Sequence, residues 1–405
     1  MTGQHSDERR ALWIYPWDIL DAGIDATVRR AGHEWRLSAL SLTASYHSAK
    51  FLLPRRSREK VFLSGGSAVY FRPDATLYAD TPLKPVVTQR TDLLDVLDRT
   101  SEACRRQGLG LRAWTVALHN SRLGEAHPDA AEANAFGDRY PWALCPSNPD
   151  VRRYAAALVR DVATNHDVDW IDLESIGYHG LYHGHHHELI GIDFGPVDEF
   201  LMGLCFCRHC IARAGQDGID GERLRAEVAA MLERRFAEEA SVPAAPMDDP
   251  KGVLGLLTTW GELAAYVQMR LRSVASLVED LATNALAGSR TRLALTASTF
   301  QRGAENAWQE GMDLRLLAQA ADEIIVLAYA QDPGAVAADV RFARDLAGGM
   351  ERLVVGMSLL RQGTTSEANL VAKVDAARRL GANKFSFYNF GFVSDERLNW
   401  LAALG

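Results

Sequence analysis

Short apolar runs recur along the chain, and most are followed by a stretch with the spacing of an amphipathic helix. The runs lie at 12–15, 37–42, 111–118, 169–174, 292–298, 323–329, 353–358 and 384–388. Most are nearly unbroken in apolar character, as parallel strands covered on both faces should be. Helical spacing occupies 18–30, 92–107, 150–164, 222–240, 254–287, 311–321, 333–348 and 366–380. Gly108 and Gly110 stop the second helix, and Asp220 is placed to cap the fourth. Two segments break the rhythm. Residues 50–88 are punctuated by Pro54, Gly65, Gly66, Pro73, Pro82 and Pro85, with β character at 68–71. Residues 175–250 end in a linker marked by Pro243, Pro246 and Pro250. Eight strands alternating with helices predict an α/β chain folded as one (β/α)8 TIM barrel over 11–405. Its long insertions follow strands 2 and 4, and the second (175–250) forms a helical subdomain.

Bulk properties remove several function classes. Of 405 residues, 47% are hydrophobic and 24% charged, which is ordinary for a globular protein. The net charge is −8, with 44 basic against 52 acidic residues and no basic stripe, so no nucleic-acid partner is expected. No apolar run spans a bilayer, and residues 1–10 lack the apolar core of a signal peptide, so no membrane partner and a cytoplasmic location are expected. No Gly-x-Gly-x-x-Gly turn follows the first strand, which leaves dinucleotide binding without support.

In a barrel, side chains just past the C-terminal strand ends converge on one mouth. Here they are Trp17, Asp18, Tyr46, His47, His119, Asn120, Glu174, Tyr178, His179, Thr296, Ser298, Tyr329, Asp332, Tyr388 and Asn389. Singly, each more often fills the rim. As a set they are aromatic and hydrogen-bonding with few fixed charges, which suits the apolar faces and hydroxyls of a sugar. Trp17, His47, His119, Asn120, Tyr178, His179, His185, Tyr329, Tyr388 and Asn389 are the expected substrate-binding residues. Glu174 closes the fourth strand. Desolvation among aromatics should raise its pKa and fit it as a general acid. Asp172 lies one layer deeper on the same side of that strand, and Asp169 sits at its entrance.

Five cysteines in a reducing compartment point to metal or core before disulfides. Cys205, Cys207 and Cys210 have Cys-x-Cys-x-x-Cys spacing, and Cys145 opens Cys145-Pro-Ser-Asn-Pro149. Four thiolates would close a tetrahedral structural zinc site. His209 is a strained substitute for Cys145, and Cys104 reads as core. The tract His183-Gly-His-His-His187-Glu188 reads either as a polar surface loop or, as part of the mouth, as a grip on substrate hydroxyls or a site for a catalytic divalent metal; substrate binding by one or two of the histidines is favoured over the metal.

The run Phe136-Gly-Asp-Arg-Tyr-Pro-Trp-Ala-Leu-Cys145-Pro-Ser-Asn-Pro-Asp-Val-Arg152, then the strand ending in Glu174, then Cys205-Phe-Cys-Arg-His-Cys210, resembles the β-galactosidases of glycoside hydrolase family 42. The similarity covers about 110–212. It implies a structural zinc on Cys145, Cys205, Cys207 and Cys210, a general acid/base role for Glu174, and a carbohydrate or glycoside substrate. The chain departs from the family twice. Leu173 stands before Glu174 where the family has Asn, and the seventh strand ends Gly356-Met-Ser-Leu-Leu360 without the family's nucleophilic Glu. Asp172, Asp18 and Asp332 remain as partner acids, with Asp172 and Asp332 preferred. The expectation is a glycosidase-like hydrolase. The alternatives are a metal-dependent lyase, isomerase or hydrolase using residues 183–187, or a non-catalytic carbohydrate-binding barrel. A homo-oligomer stays open.

Overall fold

Eight of the apolar runs become the staves of a closed cylinder in a computed structural model, which describes residues 8–56, 59–181, 191–238, 251–297 and 303–405. They are β1 (Arg9–Ile14), β2 (Ala39–Tyr46), β3 (Gly110–Val116), β4 (Trp170–Glu174), β5 (Arg292–Thr296), β6 (Glu323–Leu327), β7 (Leu353–Ser358) and β8 (Lys384–Tyr388). Each pairs in parallel with its sequence neighbours, and β1 pairs with both β2 and β8, which closes the barrel. The surrounding helices are α1 (Ile24–His33), α2 (Val96–Arg106), α3 (Pro149–Asn165), α4 (Gly261–Asp280), α5 (Leu314–Ala320), α6 (Pro333–Ala347), α7 (Glu367–Arg378) and α8 (Asp395–Asn399). Among the described residues no helix is long and apolar enough to cross a membrane.

Two expected helices are broken. The stretch 18–30 divides into Pro16–Ala22 and α1 at Gly23, whose φ of 84° is open to glycine at little cost. The stretch 254–287 divides into Lys251–Thr259 and α4, with Trp260 between them. The excursion after β2 holds a hairpin, Lys50–Leu52 against Val61–Leu63, and Ala68–Val69 adds antiparallel to the end of β2. A second hairpin, Ala131–Ala133 against Arg139–Leu144, fills the segment after β3. The segment after β4 carries helices Pro196–Met202, Arg208–Gln216 and Gly221–Glu238.

The barrel interior is layered. At the entry end the Trp170 ring lies under three guanidinium groups, those of Arg9, Arg112 and Arg292, at 4.3 to 5.5 Å. Arg112 also bonds Asp172 at 2.8 Å and Glu323 at 3.2 Å, and Lys384 reaches Glu323 at 3.1 Å. Asp172 and Glu323 have no exposed side-chain surface. Removing the Arg112 cation leaves the buried Asp172 with only the Ser41 hydroxyl, while Glu323 keeps Lys384 and Arg9. Arg112→Ala should therefore cost about 3–5 kcal/mol, read as a lower urea midpoint. A midpoint within error of wild type would show that water or a neighbouring base compensates.

Candidate active site

At the exit end of the barrel the interior turns aromatic. Trp114, two residues beyond Arg112 on the inward face of β3, is the hub. Its ring lies 4.8 Å from Trp13, 5.0 Å from Tyr15, 5.0 Å from Tyr46 and 6.1 Å from Tyr388. The Trp114 indole N–H donates to Glu174 Oε2 at 2.7 Å. The Tyr15 hydroxyl donates to that of Tyr46 at 2.9 Å and lies 3.2 Å from that of Tyr388. Tyr329 stacks 6.1 Å from Tyr388. Four tyrosines and two tryptophans from β1, β2, β3, β8 and the segment after β6 thus surround one carboxyl.

That environment sets the chemistry of Glu174. Burial pushes its pKa up to about 7, the indole hydrogen bond pulls the other way, and the Glu310 carboxylate adds to the rise. Part of the residue still faces solvent at the mouth. Burial and the Glu174 charge likewise hold Tyr46, Tyr329 and Tyr388 above the usual phenol value. Ser175 follows Glu174 with φ of 59°, uncommon for a non-glycine residue, and turns the chain sharply out of the strand. The Ala117 and Leu118 N–H groups bind the Glu174 and Ser175 carbonyls and pin that turn to the end of β3.

Three histidines stand in a row beside the cage. His47 and His119 stack at 4.2 Å, His119 and His179 lie 5.1 Å apart, and Tyr46 stacks on His47 at 4.2 Å. They come from just past β2, β3 and β4, the placement expected from strand ends. Trp17 stacks flat on Tyr15 at 4.6 Å and lies against Phe51 and Phe62 of the 50–63 hairpin. Asp18 is buried and pushed up to about 7 by that burial. Gly391 packs so tightly on Asp18 that a Cβ there would overlap the carboxylate.

Other expected residues take different places. Asp172 is one layer below Glu174 and is engaged by Arg112 and by the Ser41 hydroxyl at 2.5 Å. Asp332 is exposed and caps α6, accepting from the Ala335 N–H at 2.8 Å. Both acids are committed to structure, so neither is carried forward as the partner of Glu174. Asn120 caps the helix Ser121–Ala126 through the Leu123 N–H. The Tyr178 hydroxyl lies 2.8 Å from Ser147 Oγ and 3.7 Å from Cys210 Sγ, so it faces the cysteines. Asn389 is fully buried and accepts from the Gly391 N–H. Thr296 is buried at the end of β5. Residues 183–188, His185 among them, and Ser298 lie outside the described residues.

Trp13, Tyr15, Trp114 and Glu310 were not singled out from the sequence. The first three were findable, because alternation puts Trp114 on the face of Arg112 and puts Trp13 and Tyr15 on one face of β1. Glu132 was also missed. It is fully buried and pushed up to about 7 by that burial, and its Oε1 accepts the His179 N–H at 2.8 Å.

In the segments after β3 and β4, Cys145, Cys205, Cys207 and Cys210 are all buried, with sulfurs within 4.8 Å of one another. Cys145 lies 3.5 Å from Cys207, 3.5 Å from Cys210 and 3.9 Å from Cys205. None forms a disulfide. A tetrahedral ion with bonds of about 2.3 Å to sulfur spaces its ligands about 3.8 Å apart, so the four thiols fit a metal ion. His209 turns to Asp129 at 3.1 Å instead. Cys104 is a buried residue of α2, its thiol pushed up to about 12 by burial. The cluster joins the hairpin after β3, through Cys145, to the segment after β4.

No protein-family model matches the chain, and no curated protein matches it. Solved structures do. The glycoside hydrolase domain of PgaB (BpsB) from Bordetella bronchiseptica aligns over 98% of both chains at 14% identity, with a TM-score of 0.58. The catalytic domain of β-amylase from Paenibacillus polymyxa aligns over 98% of both at 11% identity and a TM-score of 0.55. The α-L-fucosidase isoenzyme 2 from Paenibacillus thiaminolyticus aligns over 98% of this chain and 48% of its own at 12% identity and 0.53. At that identity the likeness is one of fold, the (β/α)8 barrel. The family-42 resemblance rests on the residues quoted for it.

Proposed function

We propose that the protein is a glycoside hydrolase-like enzyme that cleaves a glycosidic bond, with Glu174 as general acid. One observation carries this reading. The Glu174 carboxyl at the mouth is oriented by an indole N–H at 2.7 Å and holds its proton to about 7, inside a cage of aromatic rings and hydroxyls. A neutral carboxylic acid in such a place can protonate a leaving oxygen at neutral pH. Of the cage tyrosines, Tyr329 and Tyr388 are part-exposed, and their rings and hydroxyls can meet the apolar faces and hydroxyls of a sugar, while buried Tyr15 and Tyr46 back them. The fold neighbours are barrels whose names include a glycoside hydrolase domain, an amylase and a fucosidase, which agrees with the reading. Wild type and Glu174→Gln should be assayed on 4-nitrophenyl glycosides and oligosaccharides. Hydrolysis by the variant at the wild-type rate would sink the assignment.

Trp114→Phe tests the orienting bond. The indole stabilises ionised Glu174, so its loss should raise the carboxyl pKa and move the alkaline limb of the pH–rate profile upward. The rate should fall by about tenfold as one hydrogen bond to a charged group is lost. An unmoved limb would mean that another donor fixes Glu174.

The four cysteines are assigned to a structural zinc ion. Zinc would be held by Cys145, Cys205, Cys207 and Cys210, and with four protein ligands it would supply cross-linking, with no position left for substrate.

A further inference from the structure

We propose that the entry end of the barrel, opposite Glu174, holds a second binding site, one for a small multiply charged anion that carries phosphate or several carboxylates. A cavity of about 520 Å³ opens there, and all eight strands contribute to its lining. Small side chains make the space. Ala11, Ala39 and Gly110 are partners in register across β1, β2 and β3. Alternation puts Ala11 on the face of Trp13 and Gly110 on the face of Arg112, so this level of the bore is nearly empty on three adjacent strands. A (β/α)8 barrel ordinarily fills such a level with bulky branched side chains. The volume is that of a small-molecule site.

The lining is cationic. Arg9, Arg10, Arg112, Arg290, Arg292 and Lys384 border the cavity, against the carboxylates of Asp169 and Glu323. Arg10 is engaged by Glu8 at 2.7 Å and Arg290 by Asp167, while Asp169 Oδ2 accepts the Leu111 N–H at 2.8 Å. Arg9, Arg112 and Lys384 all turn to the same acid, the fully buried Glu323, and Asp172 takes Arg112 one layer deeper. Arg292 has Asp322 at 3.5 Å, with side chains 54% and 42% exposed, and a pair so open to water is worth little.

Three of these guanidinium carbons lie 4.3 to 5.5 Å from the Trp170 ring centre, so no two of them are more than about 10 Å apart. Like charges held that close repel, and the ring face and one carboxylate offset only part of the repulsion. A multivalent anion in the cavity offsets more of it and accepts from several guanidinium forks at once. Arg9 and Arg292 stand partly in solvent at the rim, whereas Arg112 is 8% exposed at the floor, within reach of a small ion that enters the bore. The layer of Arg112, Asp172 and Ser41 separates this cavity from the aromatic cage, so the proposal does not depend on the glycosidase reading.

Pyrophosphate, inorganic phosphate and citrate are the probes, titrated calorimetrically at constant ionic strength. At least one should bind saturably, one per chain, and should raise the thermal midpoint as its concentration rises. A preference for pyrophosphate over citrate would assign a phosphate-bearing ligand, and the reverse a polycarboxylate. Arg292→Gln removes a rim cation outside the Arg112–Glu323 network, so the variant should fold and should bind about tenfold or more weakly, as a hydrogen-bonded charge contact is lost. Ala39→Glu sets a carboxylate among the cations and should abolish binding. Glu174→Gln, at the other end of the barrel, should bind as the wild type does. Absence of saturable binding of all three probes by the wild type overturns the proposal, as does wild-type affinity in folded Arg292→Gln. Binding that is lost in Glu174→Gln would put the anion at the mouth and overturn the placement. Binding of long-chain polyphosphate with none of pyrophosphate would show a surface patch in place of a recessed site and overturn it equally.

Discussion

Glu174→Gln should lower kcat by about 10²–10⁴-fold on any glycoside the wild type cleaves, the usual worth of general acid catalysis and equal to about 3–5 kcal/mol of barrier. Glutamine keeps the shape and can still accept from Trp114, but it has no proton to give. The wild type should lose activity as pH rises through about 7, where Glu174 ionises. The same substitution should change stability in the opposite sense. Glu174 titrates near its ordinary value of 4.5 when unfolded and near 7 when folded, so the native state binds its proton more tightly. Folding is unpenalised below about 4.5, and the cost grows as pH rises to about 7. Glutamine carries no such cost. At pH 8 the variant should be more stable than wild type by about 1–3 kcal/mol, a range that allows for partial solvent access. At pH 4 the two should melt together. A residue kept for packing alone would lose stability on substitution at every pH. Loss of rate with a gain of stability confined to high pH is the mark of a strained working acid.

The buried setting of the Glu174 carboxyl was legible in the sequence for a physical reason. Glu174 ends an apolar run, and a buried parallel strand has little use for a carboxylate unless something partners it. The barrel was legible because strands covered on both faces read as unbroken apolar runs, and β7 and β8 match their expected bounds. The placement of His47, His119 and His179 followed from the rule that sites gather at the C-terminal strand ends. Asp332 misled because an Asp before Pro333-Gly334 serves two readings, a mouth acid and a helix cap, and the cap is what the structure contains. Asp172 misled because the cation that holds it, Arg112, sits on another strand 60 residues earlier. Glu310 was illegible for the same kind of reason. Its carbonyl accepts the Tyr178 N–H in the loop after Glu174, more than 130 residues away in sequence. Local periodicity carries no trace of that contact.

Removal of the proposed zinc should be the largest single blow to stability. The four sulfurs are buried and preassembled at 3.5 to 3.9 Å around Cys145. Structural zinc contributes on the order of 10 kcal/mol to the element it closes, comparable with the whole stability of an ordinary domain. The ion would tie the hairpin after β3 to helix Arg208–Gln216, whose first turn holds Cys210 and whose N-cap is Cys207. The loop between β4 and that helix starts directly after Glu174 and carries Tyr178 and His179. Chelation under mild denaturant should therefore unfold the region around 131–145 and 191–216 first, seen as early amide exchange and proteolysis there. Loss of hydrolysis should track that unfolding. Cys205→Ser should do the same without a chelator, and protein purified under reducing conditions should carry one zinc per chain. Loss of the metal with amide exchange unchanged would show that the thiols pack as a core without it. Hydrolysis that stops on chelation while the region stays folded would instead place a metal in the chemistry. The two outcomes separate because a closed four-thiolate site leaves no coordination position for a sugar, so it acts on the reaction only by holding Glu174 and the loop beyond it in place.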